Sequence, residues 1–301
     1  MAHAPTNILR GMALVASAVL VFASMDATTK HLAMTWNVPL VVAMRYIGNL
    51  VLLVAVFGPR EGRALVRTQR TGLVLVRAMS LAMASLFAGL AFQRMPVAET
   101  TAIIFLAPFG VMILGGALLG EKIVLPSWAA AAVGFLGVLL IGRPGSGLDP
   151  WGVLFAVLTA AATVSYNLLS RVLARTETTH ALMFYSALAG TLVFGATLPW
   201  SWRGPMPGAL GLTLFAGLGA MALVGHFLFT AAYRHAPASA LAPVNYLHLA
   251  WAGLLGWLVF QHVPDHWSLL GMALVAGSGA AAALCAHLST KQIGALSRQG
   301  A

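Results

Sequence analysis

The chain has 301 residues, of which 60% are hydrophobic and only 8% are charged. A soluble domain carries about 25% charged residues, so this composition excludes an ordinary soluble protein and predicts a chain that crosses a membrane several times. The net charge of +10 would suggest nucleic-acid binding in a soluble protein. Here the basic residues lie mostly between apolar runs, so we expect no nucleic-acid partner. The single cysteine, Cys285, excludes an intramolecular disulfide and a cysteine-rich metal site, and we expect no metal or cofactor.

Ten apolar runs are long enough to cross a bilayer as helices, which takes roughly 20 residues each. Strands are not expected, because the runs lack alternating polarity and the backbone groups of an open strand have no partners in lipid. The composition therefore predicts an all-α integral membrane protein with ten transmembrane helices. The runs cover approximately residues 9–34, 38–57, 72–94, 97–120, 123–142, 151–174, 179–200, 208–233, 237–260 and 266–288.

A polar stretch of the first run occurs again in the sixth. The residues Ser24–Ala33 (SMDATTKHLA) align with Ser165–Ala174 (SYNLLSRVLA), and the two copies start 141 residues apart, from 24 to 165. Asp26 becomes Asn167 in the second copy. A period of this length indicates duplication of a large unit rather than a short solenoid repeat.

The predicted repeats contain five helices each. The first spans residues 1–142 and the second 151–288, with a connecting loop at 143–150 and a cytoplasmic tail at 289–301. Because five is an odd number, the second repeat must enter the membrane upside down. Inverted repeats allow one chain to open toward either side around a central cavity, which is typical of a transporter.

Orientation follows from the placement of Lys and Arg, which are enriched in cytoplasmic loops. If the N-terminus is cytoplasmic, eleven of these residues lie on inside segments and four on outside segments. The excess predicts that both termini lie on the cytoplasmic side of a bacterial inner membrane. The inside residues are Arg10, Arg60, Arg63, Arg67, Arg70, Lys122, Arg171, Arg175, Arg234, Lys291 and Arg298, and the outside residues are Lys30, Arg94, Arg143 and Arg203.

The order and spacing of several short motifs resemble the EamA type of the drug/metabolite transporter superfamily. The resemblance covers nearly the whole chain, although the second half departs from it, since His262 stands where the 141-residue offset would place the counterpart of Glu121. The matching features are Met25-Asp26-Ala27 with Lys30, Pro39, Arg45, Arg77, Pro96, Pro108, Gly120-Glu121, Gly134-Phe135-Leu136-Gly137-Val138 and Arg143-Pro144-Gly145.

This resemblance implies ten helices around a cavity lined chiefly by the third, fourth, eighth and ninth, with the first and sixth beside them. It also implies transport of small metabolites without a chemical step, so we do not expect an enzyme. Amino-acid export is the leading expectation. Nucleoside-like metabolites, S-adenosylmethionine and riboflavin are the alternatives.

Four of the ionisable residues in the first three runs are candidate functional sites, because such groups are rare within a membrane. Asp26 and Lys30 are four residues apart, so they share a helix face and can form an ion pair. Arg45 has Asp26 and Glu99 as its plausible acidic partners. Left free in a wet cavity, Arg45 or Arg77 could hold a substrate carboxylate in a two-pronged contact, or could instead fix the cavity wall.

Two acids and two prolines mark possible gates. Glu99 opens the fourth run, where a carboxylate is favoured by the helix dipole or could bind a cation or proton at the outer gate. Glu121 follows the same run at its cytoplasmic end and is a candidate inner latch. Pro108 and Pro243 interrupt the fourth and ninth runs, because a proline frees a carbonyl one turn back and bends the helix.

Further candidate substrate-binding residues cluster in the second half. In the ninth run Asn245 and His248 are three residues apart, which predicts that they share a face. Aromatic walls with a few polar groups suit a small amphipathic ligand, although interhelical hydrogen bonding explains the same residue types. The candidates are Tyr166, Asn167, His226, Asn245, Tyr246, His248 and Trp251.

Two other classes of protein are alternatives to a transporter. An intramembrane enzyme could use Ser278 with His226, but nothing in the sequence orients that histidine, and the chain has no H-E-x-x-H motif or phosphate loop. A channel would need a filter or a ring of like charges, and neither is visible. Because ten helices can enclose a cavity alone, we expect a monomer that binds a small-molecule substrate.

Overall fold

The computed structural model describes residues 8–119, 125–143, 147–202, 204–232, 235, 241 and 244–281. The all-α prediction is confirmed, since most of these residues are helical and none of them lies in a strand. Glu121, Pro243 and the tail at 289–301 lie outside the described residues. The helices are α1 (Ile8–Ala33), α2 (Val38–Glu61), α3 (Thr71–Arg94), α4 (Val97–Ile104), α5 (Ala107–Leu119), α6 (Leu125–Ile141), α7 (Pro150–Leu173), α8 (Thr179–Gly195), α9 (Leu198–Ser201), α10 (Ala209–Ala232), α11 (Leu247–Phe260) and α12 (266–281).

Every predicted run contains one of these helices. Six described helical spans are long and apolar enough to cross a membrane, by length and composition. Three shorter apolar helices lie in the fifth, seventh and ninth runs. The six spans are Leu9–Ala33, Val38–Leu65, Thr71–Arg94, Val97–Gly115, Pro150–Leu173 and Ala209–Ala232.

The fourth run breaks into α4 and α5 just before Pro108, as the sequence predicts. Pro108 has no backbone N–H with which to bond the carbonyl of Ile104, so the helical ladder is interrupted there. The chain tightens at the break, where the N–H of Leu106 donates to the carbonyl of Ile103 at 3.0 Å. This break places Phe105 at a turn within the membrane-spanning region.

Helix packing follows the duplication. The helix α1 packs along α10, and α3 packs along α7, and these two pairs exchange under the 141-residue offset. The same exchange relates the contact of α2 with α10 to that of α3 with α8, and the contact of α1 with α11 to that of α4 and α5 with α7. The bundle therefore has the two-repeat arrangement that the sequence predicts.

Corresponding loops meet at the two ends of the bundle. The Glu177 carboxylate accepts hydrogen bonds from the backbone N–H groups of Gln69, at 3.0 Å, and Arg70, at 2.7 Å. Trp36 stands 141 residues before Glu177, and its indole N–H donates to the carbonyl of Pro205 at 3.0 Å. Each contact joins a loop of one repeat to the segment before the third helix of the other.

Two surface ion pairs fix the connection between the repeats. Arg94 contacts Asp149 at 3.0 Å, and Arg143 contacts Asp265 at 2.5 Å. Asp149 also caps α7, because its carboxylate accepts the N–H of Gly152 at 3.1 Å. The Gly152 amide and the Arg94 guanidinium hold the pKa of Asp149 below its usual value. The Arg143 guanidinium likewise lowers the pKa of Asp265.

The helices α2 and α10 cross with their backbones almost in contact. A Cβ atom added at Gly219 would lie 2.6 Å from the carbonyl carbon of Gly48 and 2.7 Å from its Cα atom. Ala78 and Ala189 are the residues that the 141-residue offset places at the equivalent crossing of α3 and α8, and both are buried. The first crossing therefore requires glycine, whereas the second has room for methyl groups.

Replacing Gly219 with alanine should destabilise the protein, because the new methyl group meets backbone that cannot move aside. We expect a loss of about 1–3 kcal/mol, seen as a lower midpoint of thermal unfolding in detergent. Gly217→Ala on the same helix is the control, since its Cβ would meet only the end of Met221 at 3.8 Å. Equal midpoints for the two variants would contradict the proposed crossing.

Candidate functional site

A cavity of about 320 Å³ lies between helices of both repeats. That volume falls within the roughly 300–1,000 Å³ of small-molecule sites. Residues of α1, α2, α3, α4, α7, α8, α10 and α11 line it, together with Phe105 at the break. The second and seventh predicted helices, here α2 and α8, therefore add to the walls that the resemblance implied. The predicted site residues that line it are Asp26, Arg45, Arg77, Tyr166, His226 and His248.

Arg77 is the most heavily hydrogen-bonded side chain of the cavity wall, and it is only 6% exposed. Its Nε donates to Ser170 Oγ at 2.7 Å, and one terminal nitrogen donates to the carbonyl of Leu182 at 3.1 Å and to Ser186 Oγ at 3.0 Å. The other terminal nitrogen donates to Tyr166 Oη at 2.9 Å. Four of the five N–H groups of the guanidinium thus bond neutral oxygens of α7 and α8.

Arg45 has a different environment. Its guanidinium carbon lies 5.0 Å from the centre of the Tyr46 ring, a cation–π contact. None of the described carboxylates lies within 4 Å of it, so the expected pairing with Asp26 or Glu99 is not formed. The reason is that both acids bond histidines instead. Arg45 is half-buried and borders the cavity, where it keeps hydrogen-bonding capacity for a ligand.

Asp26 and Lys30 do not pair with each other, although the predicted i, i+4 spacing is present. The Lys30 ammonium donates to the carbonyls of Phe92 and Met95, at 2.8 and 2.7 Å, at the end of α3. A cation is favoured there by the helix dipole and by carbonyls that lack helical partners. Asp26 instead contacts His248 Nε2 at 3.0 Å, which connects α1 to α11 on the cavity surface.

Glu99 lies outside the cavity lining. It is 2% exposed, and one carboxylate oxygen lies 2.9 Å from Nε2 of His262. Its second oxygen is buried and has no hydrogen-bond partner among the described residues. Glu99 lies in the first turn of α4, where the helix dipole favours a carboxylate. Its partner His262 is the residue that the 141-residue offset places as the counterpart of Glu121.

The polar cluster of the ninth run divides at a turn. The chain turns at Tyr246, and α11 begins at Leu247, so Asn245 and His248 are not on one continuous helix. His248 lines the cavity, whereas Asn245, Tyr246 and Trp251 do not. The Tyr246 ring packs against Phe105 at 5.2 Å between centroids. Asn167 of α7 also stands outside the lining.

Several lining residues escaped the sequence prediction. Asn49 lies one turn beyond Arg45 on α2, and its Oδ1 atom is buried without a partner among the described residues. Thr101 Oγ1 is also buried and has no partner among the described residues. An amide one turn from an intramembrane arginine was the available signal for Asn49. Thr159 gave no comparable signal in the sequence. In the structure its hydroxyl donates to the carbonyl of Phe155 within its own helix.

Among the described residues, no group of three or more His, Cys, Asp and Glu side chains could hold a metal ion. The cavity thus offers guanidinium, carboxylate, imidazole, amide and hydroxyl groups between aromatic rings. Groups of these kinds can bind a small molecule by hydrogen bonds, charge and apolar contact. The rings are those of Phe22, Tyr46, Phe92, Phe105 and Tyr166.

Comparison with known proteins gives consistent matches along the chain. The sequence model of the EamA-like transporter family matches residues 9–143 and residues 150–282. A riboflavin transporter of Rhizobium johnstonii is 28% identical over 275 residues, which cover 90% of each chain. The pseudopaline exporter CntI of Pseudomonas aeruginosa is 28% identical over 275 residues, covering 88% of this chain and 93% of that protein.

Two further matches are more distant in sequence. An S-adenosylmethionine uptake transporter of Rickettsia conorii is 25% identical over 252 residues, which cover 83% of this chain and 84% of that protein. A solved crystal structure superposes with a TM-score of 0.67 at 20% identity, covering 92% of this chain and 98% of that one. At this identity the structural match supports the fold alone.

The Arg77 contacts generate a stability prediction. In Arg77→Lys the charge remains, but a single ammonium cannot span oxygens on both α7 and α8. We expect a loss of about 2 kcal/mol or more, because hydrogen bonds to a buried charged group are lost. Thermal unfolding in detergent measures it. The matched control is Arg94→Lys, whose exposed ion pair is worth at most about 1 kcal/mol. An unchanged unfolding midpoint in Arg77→Lys would contradict a stabilising role for the bonds from Arg77 to α7 and α8.

Proposed function

Because the chain belongs to the EamA-like transporter family, we propose that it carries a small organic metabolite through the membrane by alternating access. The substrate would bind in the cavity of about 320 Å³. Helices of both repeats form its walls, and their contacts exchange under the 141-residue offset. This arrangement suits a site that opens to either side as the two repeats move against each other. We propose no chemical step.

The substrate class we propose is an amino acid, exported from the cell. The observation that carries this choice is Arg45, a guanidinium on the cavity surface without a carboxylate partner among the described residues. A substrate carboxylate would accept two of its N–H groups in parallel. Asp26 offers a carboxylate on the same cavity for the ammonium group, and the aromatic rings offer space for an apolar part.

A second candidate is a flat aromatic metabolite such as riboflavin. The rings of Tyr46, Phe105 and Tyr166 on the cavity wall favour it, because aromatic faces stack with such a ligand. Two relatives are named riboflavin transporters, from Rhizobium johnstonii and Vibrio cholerae. The relatives named for S-adenosylmethionine and pseudopaline indicate that the fold accommodates several ligand chemistries.

We propose that the protein works as a monomer in a bacterial inner membrane, with both termini in the cytoplasm. The excess of Arg on the segments between α2 and α3 supports this orientation. The Arg77 bonds and the Glu177 contact then close the cytoplasmic side, since both lie near the beginning of α3. Opening toward the cytoplasm would require α3 to separate from α7 and α8 there.

Counterflow in proteoliposomes tests this function. Vesicles loaded with an unlabelled amino acid should accumulate the labelled compound from outside, in a saturable manner. Arg45→Ala should reduce this accumulation at least tenfold, because the substrate carboxylate loses its partner. Arg94→Ala, which removes an exposed arginine outside the cavity, should retain it.

The other outcomes separate the competing readings. Counterflow of riboflavin alone would replace the amino acid by the second candidate. Unsaturable flux without counterflow would indicate a channel. Absence of any flux from folded protein would contradict the transporter mechanism.

A further inference from the structure

The fixed charges that line the cavity do not balance. Arg45 and Arg77 each carry a positive charge, and Asp26 is the single carboxylate among the described lining residues. With His226 and His248 neutral, these groups sum to one positive charge. Protonation of either imidazole makes the sum more positive.

Charges just outside the lining do not correct this excess. The Glu99 carboxylate is paired with His262. It lies near Lys30 and not on the cavity surface. Lys30 is itself positive and bonds the carbonyls at the end of α3. The remaining described ion pairs are those of Asp149, Asp265 and Glu61, at the ends of helices.

The two arginines differ in how many hydrogen bonds they can still donate to a ligand. Arg77 already gives four of its N–H groups to neutral oxygens, so its role is to hold the wall. Arg45 has the Tyr46 ring on one side and the cavity on the other. Arg45 is therefore the place where an added negative charge would be neutralised.

Two orphaned polar atoms on residues of the cavity lining describe the rest of the ligand. Asn49 lies one helical turn from Arg45, and its Oδ1 atom has no hydrogen-bond donor among the described residues. Thr101 Oγ1, on the α4 wall, is likewise buried without a partner in the part of the chain that the structure describes. An unsatisfied buried acceptor is costly, so a ligand that brings an N–H or O–H group would be favoured. The chemistry is that of an anion with a neighbouring hydrogen-bond donor.

We propose that the substrate carries one net negative charge, bound at Arg45, and that the protein works mainly by exchanging such anions. This inference rests on the proposed transport function and narrows its substrate class. Within amino acids it selects the acidic ones over the zwitterions. The physical reason is that an uncompensated charge is unfavourable in the membrane interior, and an anion removes it.

Exchange follows from the same charge balance. The loaded cavity is neutral and reorients without moving net charge. The empty cavity must carry one positive charge as it changes its access. One elementary charge crossing 100 mV changes an equilibrium by up to about fiftyfold, so a membrane potential acts on net flux but not on exchange.

The test uses three pairs of probes that differ by charge and little else. They are L-glutamate with L-glutamine, L-aspartate with L-asparagine, and nicotinate with nicotinamide. Counterflow of each is measured in proteoliposomes of the full-length chain. We expect the anionic member of at least one pair to exchange ten times faster than its neutral partner. Arg45→Gln should remove this preference, Arg45→Lys should keep part of it, and Arg94→Gln should leave it unchanged.

A second measurement uses the unaltered protein, so it does not depend on whether a variant folds. A potassium gradient with valinomycin sets the potential, and net efflux should change at least fivefold per 100 mV while exchange stays constant. Equal exchange of the neutral and anionic members, or equal voltage response of efflux and exchange, would overturn the anion inference alone. No exchange of any of the six probes would overturn the anion inference, and if no other amino acid and no riboflavin gave counterflow either, the proposed transport function would fall with it.

Discussion

A guanidinium buried among helices with no carboxylate beside it must find neutral acceptors, and this requirement shapes the bundle. Arg77 meets it by taking oxygens from two helices of the opposite repeat, at distances between 2.7 and 3.1 Å. In a hydrocarbon environment each missing acceptor would be expensive. Arg77 therefore adds a polar connection to the apolar packing that holds α3 against α7 and α8.

The two repeats share the same helix arrangement but carry different residues at corresponding positions of the cavity. Under the 141-residue offset Arg77 corresponds to Leu218, and Arg45 corresponds to Ser186. Leu218 is fully buried in an apolar cluster, whereas Ser186 bonds Arg77 itself. A hydroxyl in one repeat thus became an acceptor for the cation of the other. The charge of the cavity comes largely from the first repeat, and the second repeat supplies neutral oxygens and imidazoles.

Much of the fold was predictable because it depends on local properties of the sequence. Apolar length fixes where helices occur, and the copy of Ser24–Ala33 at Ser165–Ala174 exposes the duplication. The residue classes of the site were predictable too, since charges in apolar runs are rare. The partners of the charged residues were not predicted correctly. Asp26 meets a histidine 222 residues away rather than Lys30 one turn away, and no local rule decides between those partners. The turn at Tyr246, which separates Asn245 from His248, was equally hidden within a continuous apolar run.

The near contact of Gly48 with Gly219 has a mechanical consequence. At the point where the two backbones meet, no side chain lies between them, so this point is suited to act as a pivot between helices of the two repeats. On either side of it, apolar side chains such as Val41 and Leu218 pack between the helices. The 141-residue offset places the buried residues Ala78 and Ala189 at the equivalent crossing of α3 and α8, where methyl groups stand in place of the glycine hydrogens. A rocking motion in this protein would therefore have one stiff pivot and one softer pivot, and its two half-strokes would differ in resistance.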